Sequence, residues 1–428
     1  MKKQNSKLLC MHTVAAAVIL AHCSPNIEDT APGPKPGDIY REYSRTMGQT
    51  NSNWRVTDPN CEVERARRHL PNARLAITID DLKGAVRAEA LIDRWGGHSG
   101  TSNKKLRFNG FEWIDLPELE TTPPDREPEM HVYQDNPIVE IPLEHLVQGE
   151  NFFEGTCDDP ELWWPQWGWD GILVRIYYEK SKSHPRAEVA APRSGSTIRD
   201  NAVIEVKAES GSGIERVDVL AYYEGFDENG DGVYTDWHRH YWCMRNDSLF
   251  DIRGHAGSAF SNPYRVIWDT GWVPDQRPGA VKFLARVKDR AGMWYVTEAV
   301  RSITLERPGH SVQMYRASDI PVKFSIRNKQ KKSCTIRIPD DHDLSAARGA
   351  ILHLRTWNGT PEMHQPFMIN EWSHELEGNN HNFDYDAISV PPEVLRNGDN
   401  TVSFYSETVH HGVEVLWPGP VLTVRYQR

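Results

Sequence analysis

The sequence predicts an all-β chain, and three observations carry that expectation. Short runs rich in β-branched and aromatic residues, such as Arg74 to Ile79, Gly171 to Tyr178 and Ala202 to Ala208, sit between clusters of Gly, Pro, Asn and Asp. Long helical periodicity is absent. A segment starting at residue 141 recurs at residue 390, too far apart for a solenoid unit, which marks a duplicated domain with something else inserted between the copies. At 428 residues the chain has room for two to four domains and is too long for one core. Its 39% hydrophobic and 25% charged residues exclude both a disordered chain and a polytopic membrane protein. A net charge of -11 argues against a nucleic-acid partner held by phosphate neutralisation. The 15 Trp require large aromatic cores or exposed stacking surfaces.

The first element is a targeting segment. Lys2, Lys3 and Lys7 precede a mostly apolar stretch from Leu8 to Ala21, too short to span a bilayer but suited to a signal peptide. Leu20-Ala21-His22-Cys23 resembles a bacterial lipobox, in which Cys23 would be acylated. His22 departs from that pattern, where a small residue is usual, and the alternative is an ordinary signal peptide cut nearby. Either way the chain is expected to be exported, to the cell surface or outer membrane as a lipoprotein or as a secreted protein. Residues 24–60 carry Pro25, Pro32, Pro34 and Pro36 with little apolar periodicity, and read as a flexible tether. In an exported protein Cys61 and Cys157 could close a loop around the first domain. Cys243 and Cys334 read as small buried hydrophobes, and no CxxC suggests zinc or redox chemistry.

The repeat sets the organisation of the rest. Ile141-Pro-Leu-Glu-His-Leu-Val-Gln-Gly-Glu-Asn151 aligns without a gap with Val390-Pro-Pro-Glu-Val-Leu-Arg-Asn-Gly-Asp-Asn400. Upstream, Ala90 to Gly97 matches Leu352 to Gly359 in style, and each is followed by an apolar-Asn element, Phe108-Asn109 and Ile369-Asn370. A Trp follows soon after each, Trp113 and Trp372, and each copy closes on a Trp-x-Gly at Trp169 and Trp417. The Leu-x-x-Gly-x-Asn turn before a strand resembles the galactose-binding-like jelly roll of carbohydrate-binding modules and of accessory domains in β-galactosidase-type glycosidases. The segment between the copies resembles a bacterial immunoglobulin-like domain. Ala190-Ala-Pro192 and Gly213-Ile214 match its opening, and Trp268-Asp-Thr270 and Ala285 to Gly292 match its close. It departs from that pattern by an insertion, roughly 225 to 262, rich in Gly, Asp, His and aromatics. These resemblances imply two jelly-roll β-sandwiches separated by an immunoglobulin-like β-sandwich. The expected divisions are 1–23 signal peptide, 24–60 tether, 61–182 first jelly roll, 185–306 immunoglobulin-like domain and 310–428 second jelly roll.

Two constellations are candidates for function. Asp227-Glu-Asn-Gly-Asp-Gly232 places oxygen ligands at positions 1, 3 and 5 and Gly at 6, the pattern of a calcium loop. Asp227, Asn229 and Asp231 are the candidate Ca2+ ligands, with Asp236 or Glu224 as the closing carboxylate; the loop has His238 at position 12 and no flanking helices. The competing reading is a Gly-rich hairpin turn. His238 and His240 share one strand face, and without a third ligand they read as packing. The second constellation is the Trp-rich run from Glu161 to Asp170, with Trp163 and Trp164 expected to be exposed and Trp169 in the core. Flat aromatic faces stack on pyranose rings, so Trp95, His98, Asn103 and Trp113 would complete a glycan platform with Trp163 and Trp164 if the loops converge.

No Gly-x-Ser-x-Gly elbow, His-Glu-x-x-His or Walker loop is present. The expected function is therefore a non-catalytic, exported glycan- or polysaccharide-binding surface protein. The alternatives are a polysaccharide-active enzyme with its site at a sandwich interface, or an adhesive or structural envelope protein.

Overall fold

Strand Ile39–Thr46 pairs antiparallel with Trp167–Tyr178, with Tyr40 opposite Tyr177 and Thr46 opposite Gly171. That placement overturns the expected tether for part of its length. The prolines before residue 37 signal an extended linker, but Ile39 and Tyr40 bury their side chains and the backbone bonds of this strand run to residues more than 120 positions away. The computed structural model describes residues 32–46, 55–98, 100–121, 132–158, 166–240, 252–358, 365–376, 382–409 and 412–428. Of the described residues 56% are strand and 4% helix, so the all-β expectation holds. Among the described residues no helix is long and apolar enough to cross a membrane.

The first sandwich continues from Trp167–Tyr178 to Ala85–Trp95 and then Ile138–Ile141. Its second sheet orders Leu75–Ile79, Gly149–Asp158, Ser102–Phe108 and Ile114–Asp115. The core between them holds Phe108, Phe153, Trp167, Trp169, Ile172 and Val174. Cys61 and Cys157 are buried thiols and form no disulfide; the Cys157 thiol faces Gln166 Oε1 at 3.9 Å.

The third sandwich repeats that order. His310–Ser318, Val421–Gln427, Ala347–Asn358 and Asn382–Val390 make one layer; Gln330–Ile338, Gly398–Ser406, Gln365–Ile369 and Trp372–Leu376 make the other. The repeated motif is a turn device. In the first copy the Asn151 side chain donates to the carbonyls of Val147 and Gly149 and accepts from the Val147 amide and from Asn109 Nδ2. In the third, Asn400 donates to Arg396 and Gly398 and accepts from the Arg396 amide and Asn370 Nδ2. Asn109 and Asn370 both adopt positive φ, 51° and 54°, a region Asn tolerates better than most side chains. Both Asn151 and Asn400 are wholly buried, so these side chains satisfy backbone groups that water cannot reach.

The middle sandwich packs Arg186–Ala191, Ala202–Glu209 and Tyr264–Trp268 over a sheet built on Ile214–Glu224 and Val281–Asp289. Its core centres on Ile204, Val217, Val219, Trp268 and Phe283. The sheet runs on into the first sandwich, because Trp294–Val296 pairs with Ile39–Thr46. A buried ion network crosses this join. Arg175 Nε donates to Glu42 Oε1 at 3.0 Å and its Nη1 to Glu89 Oε1 at 2.9 Å. Arg286 lies 3.6 Å from Glu42 and donates to Asp218 Oδ2 at 3.1 Å.

Candidate functional site

The structure separates the expected glycan platform. Trp95 ends its strand with its indole edge-on to His98 at 5.2 Å. His98 is largely buried, and burial, helped by Arg327, Lys323 and Arg55, lowers its pKa to about 4, so its ring is neutral near pH 7. Asn103 is exposed, with φ 50°, and donates to Asp158 Oδ2 at 2.6 Å. These three share one end of the first sandwich, beside Gly168, Gln166 and Asp158; Trp163 and Trp164 lie outside the described residues. Trp113 is elsewhere. It precedes Ile114, whose strand partner Leu106 stands three positions beyond Asn103, about 10 Å along the strand at the usual rise. The Arg107 guanidinium lies 4.3 Å over one face of Trp113, and the indole is 37% exposed. On the same turn Phe111 is 40% exposed and stacks on His145 at 4.7 Å. Phe111 was missed in the sequence because a lone Phe beside Gly carries no signal.

Trp167 and Trp169 are core residues, 0% and 2% exposed, with rings edge to face at 5.3 Å. Cys23 and Cys243 lie outside the described residues, and Cys334 is buried in the third sandwich.

The calcium-like loop is wedged where all three sandwiches meet. Asp227 is buried, its Oδ1 accepting the Gly230 amide at 2.9 Å and its Oδ2 the Gly232 amide at 2.8 Å. Asp231 accepts from the Val233 amide and from Asn229 Nδ2. Asp236 accepts from the Trp237 amide, and Glu224 pairs with Arg316 instead of closing the loop. Among the described residues no group of three or more His, Cys, Asp or Glu is arranged to hold a metal ion. Around the loop, Arg355 of the third sandwich donates to the carbonyl and side chain of Gln134 in the first. Gly230 has φ 71°, and a Cβ there would meet the Gln134 carbonyl at 2.4 Å, so glycine is needed for both conformation and space. Thr121 donates to the Asp231 carbonyl and accepts from Trp417 Nε1. Phe226 stacks on His353 at 5.0 Å and on Tyr385 at 5.2 Å. The loop is thus a physical bridge. Burial, joined by the mutual repulsion of neighbouring carboxylates, raises the pKa of both Asp227 and Asp231.

Between those two acids Glu228 turns back into the middle sandwich. Its Oε2 meets His238 Nδ1 at 3.0 Å and its Oε1 meets His255 Nε2 at 2.7 Å. His238 Nε2 reaches the Tyr223 carbonyl at 2.8 Å, and the Tyr223 hydroxyl reaches His255 Nδ1 at 2.9 Å. His240, on the same strand as His238, stacks on His255 at 5.2 Å. The sequence pointed to His238 and His240; Glu228, His255 and Tyr223 were missed, since no spacing rule joins residues from a loop, a strand and a later turn.

No family model matches the chain, and no curated protein matches it. Among solved structures it is similar to BpGH86A, a beta-porphyranase of glycoside hydrolase family 86 from the human gut bacterium Bacteroides plebeius. Identity there is 13%, over 64% of this chain and 42% of that one, with a TM-score of 0.22. It is also similar to BuGH86wt, solved in complex with neoagarooctaose, at 10% identity over 63% of this chain and 40% of that one, TM-score 0.22. The fibronectin(III)-like modules of Clostridium thermocellum CbhA match at 12% identity, over 52% of this chain and 95% of theirs, TM-score 0.17. The chain spans about two fifths of the length of the two glycoside hydrolase chains.

Proposed function

We propose that this chain is an exported, lipid-anchored glycan-binding protein, built from galactose-binding-like sandwiches on either side of an immunoglobulin-like spacer. The observation that carries this reading is the Phe111–Trp113 turn. Among the described residues it alone presents two large aromatic rings, each more than a third exposed, on one turn. Arg107, Glu112 and Glu154 surround it with groups that can bond sugar hydroxyls. Trp95, His98 and Asn103 lie on another part of the sandwich and are proposed, with Trp163 and Trp164, as a second glycan surface; Cys23 is the proposed lipid attachment. The lipid anchor predicts a mass increase on the mature protein that Cys23→Ser abolishes.

Trp113→Ala should weaken binding of an array-selected oligosaccharide by on the order of tenfold to a hundredfold, the equivalent of about 1 to 3 kcal/mol. Its melting temperature should stay near that of the parent, because a ring this exposed contributes little core. Titration calorimetry with parallel melts checks both, and unchanged affinity in Trp113→Ala and in Trp163→Ala would sink the glycan reading. A reducing-sugar assay on the same oligosaccharide should show no release; release would favour the enzyme alternative.

Calcium is a separate proposal at Asp227, Asn229, Asp231 and Asp236. A divalent cation is the partner that would relieve two buried acids with raised pKa values, although their oxygens now accept hydrogen bonds from the loop itself. The sign follows from the raised values. Their contribution to stability is complete below the ordinary Asp range near 3.9 and is lost as pH rises through the raised values. Calcium should therefore raise the melting temperature near neutral pH and have little effect near pH 4. A calcium titration that moves the melt at neither pH would remove the ion.

A further inference from the structure

We propose that the seam between the first and third sandwiches binds an anionic sugar, a pyranose carrying a carboxylate or a sulfate, with its charge held by Arg55, Lys323 and Arg327 and its ring against Trp95 and Trp357. The proposal rests on the glycan-binding reading and names the class of ligand. Arg55, Gly168, Trp95 and Gln134 stand in one register row across four neighbouring strands, so their side chains leave the same face of the sheet. That face points outward, because Val56, Trp167 and Trp169 beside the row enter the core. Gly168 carries no side chain, which leaves Arg55 and Trp95 as the walls of a trough about 10 Å wide, two strand spacings across. The row ends at the third sandwich: Arg355 donates to the Gln134 carbonyl at 3.0 Å and to its Oε1 at 3.1 Å.

The third sandwich brings a matching face to that row. Arg355 and Trp357 are two positions apart on one strand, on the side opposite the core residues Leu352 and Leu354. Trp357 stands in register with Glu414, and Glu414 with Ser325. Phe324 and Ile326 enter the core, so Lys323, Ser325 and Arg327 alternate onto the seam face. Three cations thus converge from two sandwiches. Their common neighbour is His98, edge-on to Trp95 at 5.2 Å, whose ring is held neutral by burial first and then by Arg327, Lys323 and Arg55. A neutral imidazole adds no charge and still hydrogen-bonds a hydroxyl. Glu414 accepts from Arg327 Nη2. Lys323 is exposed and has no ion pair among the described residues, and a fourth cation, the Lys332 ammonium, donates to its carbonyl. A chain whose net charge is -11 therefore gathers positive charge at this one seam. Like charges gathered in this way repel one another in the free protein, and an anionic partner relieves them. Guanidinium forks match oxyanions, and flat indoles match the apolar face of a pyranose.

The test is titration calorimetry of the full-length protein with polygalacturonate and its carboxyl-reduced form, and with dextran sulfate and dextran. One of the anionic polymers should bind more tightly than its uncharged counterpart by roughly tenfold or more, and the better of the two identifies the anion. Lys323→Glu should weaken that binding by roughly tenfold to a hundredfold, with a melting curve like the parent's because the side chain is exposed. Arg55→Gln, from the other sandwich, should weaken it by about tenfold, which shows that the ligand spans the seam. Lys207→Glu, an exposed lysine of the middle sandwich, should leave the affinity unchanged. Equal binding of charged and neutral polymers, or a loss in Lys207→Glu as large as in Lys323→Glu, would overturn the anion site and leave the glycan reading standing. Binding of none of the polymers also overturns the anion site, and the glycan reading then stands or falls by the array and Trp113→Ala.

Discussion

Arg175→Ala should destabilise the protein by about 3 to 5 kcal/mol, the usual cost of leaving a buried ion pair with one partner. Arg175 has no exposed side-chain surface, and burial works against its charge. Glu42, Tyr177 and Glu89 outweigh that penalty and hold its pKa well above the ordinary range. Without the guanidinium, Glu42 keeps, among the described residues, Arg286 at 3.6 Å, while Glu89 keeps Arg87 at 2.9 Å and the Tyr177 hydroxyl at 2.6 Å. The residual partners make Glu42 the more strained survivor. Adding Glu42→Gln to Arg175→Ala should therefore recover part of the loss, and a double-mutant cycle gives the coupling. Trp294 lies beneath Arg286 and Arg216, and with 15 Trp in the chain the denaturant midpoint is read by far-UV circular dichroism rather than by its fluorescence. A midpoint unchanged from the parent would mean that the network contributes nothing to the join.

Trp167→Ala should cost a similar amount, about 3 to 5 kcal/mol, by a different mechanism. The indole is fully buried, donates from Nε1 to the Thr156 carbonyl at 3.2 Å, and meets the backbone beside Gly155 so closely that a Cβ there would lie 3.0 Å from the ring. The variant loses the transfer energy of a large side chain, opens a cavity, and removes a donor from a carbonyl. Trp167→Phe should retain most of the packing and lose mainly the hydrogen bond, leaving a penalty nearer 1 to 2 kcal/mol. Thermal melts of the two variants beside Trp113→Ala separate core from surface: a large loss at Trp167 and almost none at Trp113. Equal losses at both would show that the exposed turn is part of the fold's support.

The candidate surfaces and the core draw on the same residue type, and local sequence does not tell them apart. Trp163, Trp164, Trp167 and Trp169 stand within one run, yet Trp167 and Trp169 enter the core because their strand pairs with Ala85–Trp95 and Arg55–Val56. The Trp-x-Gly endings do not mark one shared position: Trp169 lies inside the final strand of the first copy, opposite Arg94, whereas Trp417 precedes the strand Val421–Gln427 and its Nε1 reaches Thr121 of the other sandwich.

By itself the sequence determined the all-β class, the duplication and the turn that carries it, because these depend on short-range rules. Side-chain alternation marks a strand wherever it occurs, and an Asn two residues after a Gly can close its own turn, as Asn151 and Asn400 both do. Tertiary structure alone decided that Ile39–Thr46 is a strand, since Ile-Tyr-Arg-Glu-Tyr-Ser-Arg-Thr has modest local preference and gains its stability from Tyr177 and Trp294, far along the chain. It also decided that Glu228, His238 and His255 meet, and that a loop with a calcium-like spacing became the wedge between three sandwiches. Those outcomes depend on which charges and rings are brought out of water together, and desolvation is a property of the packed neighbourhood rather than of any segment read alone.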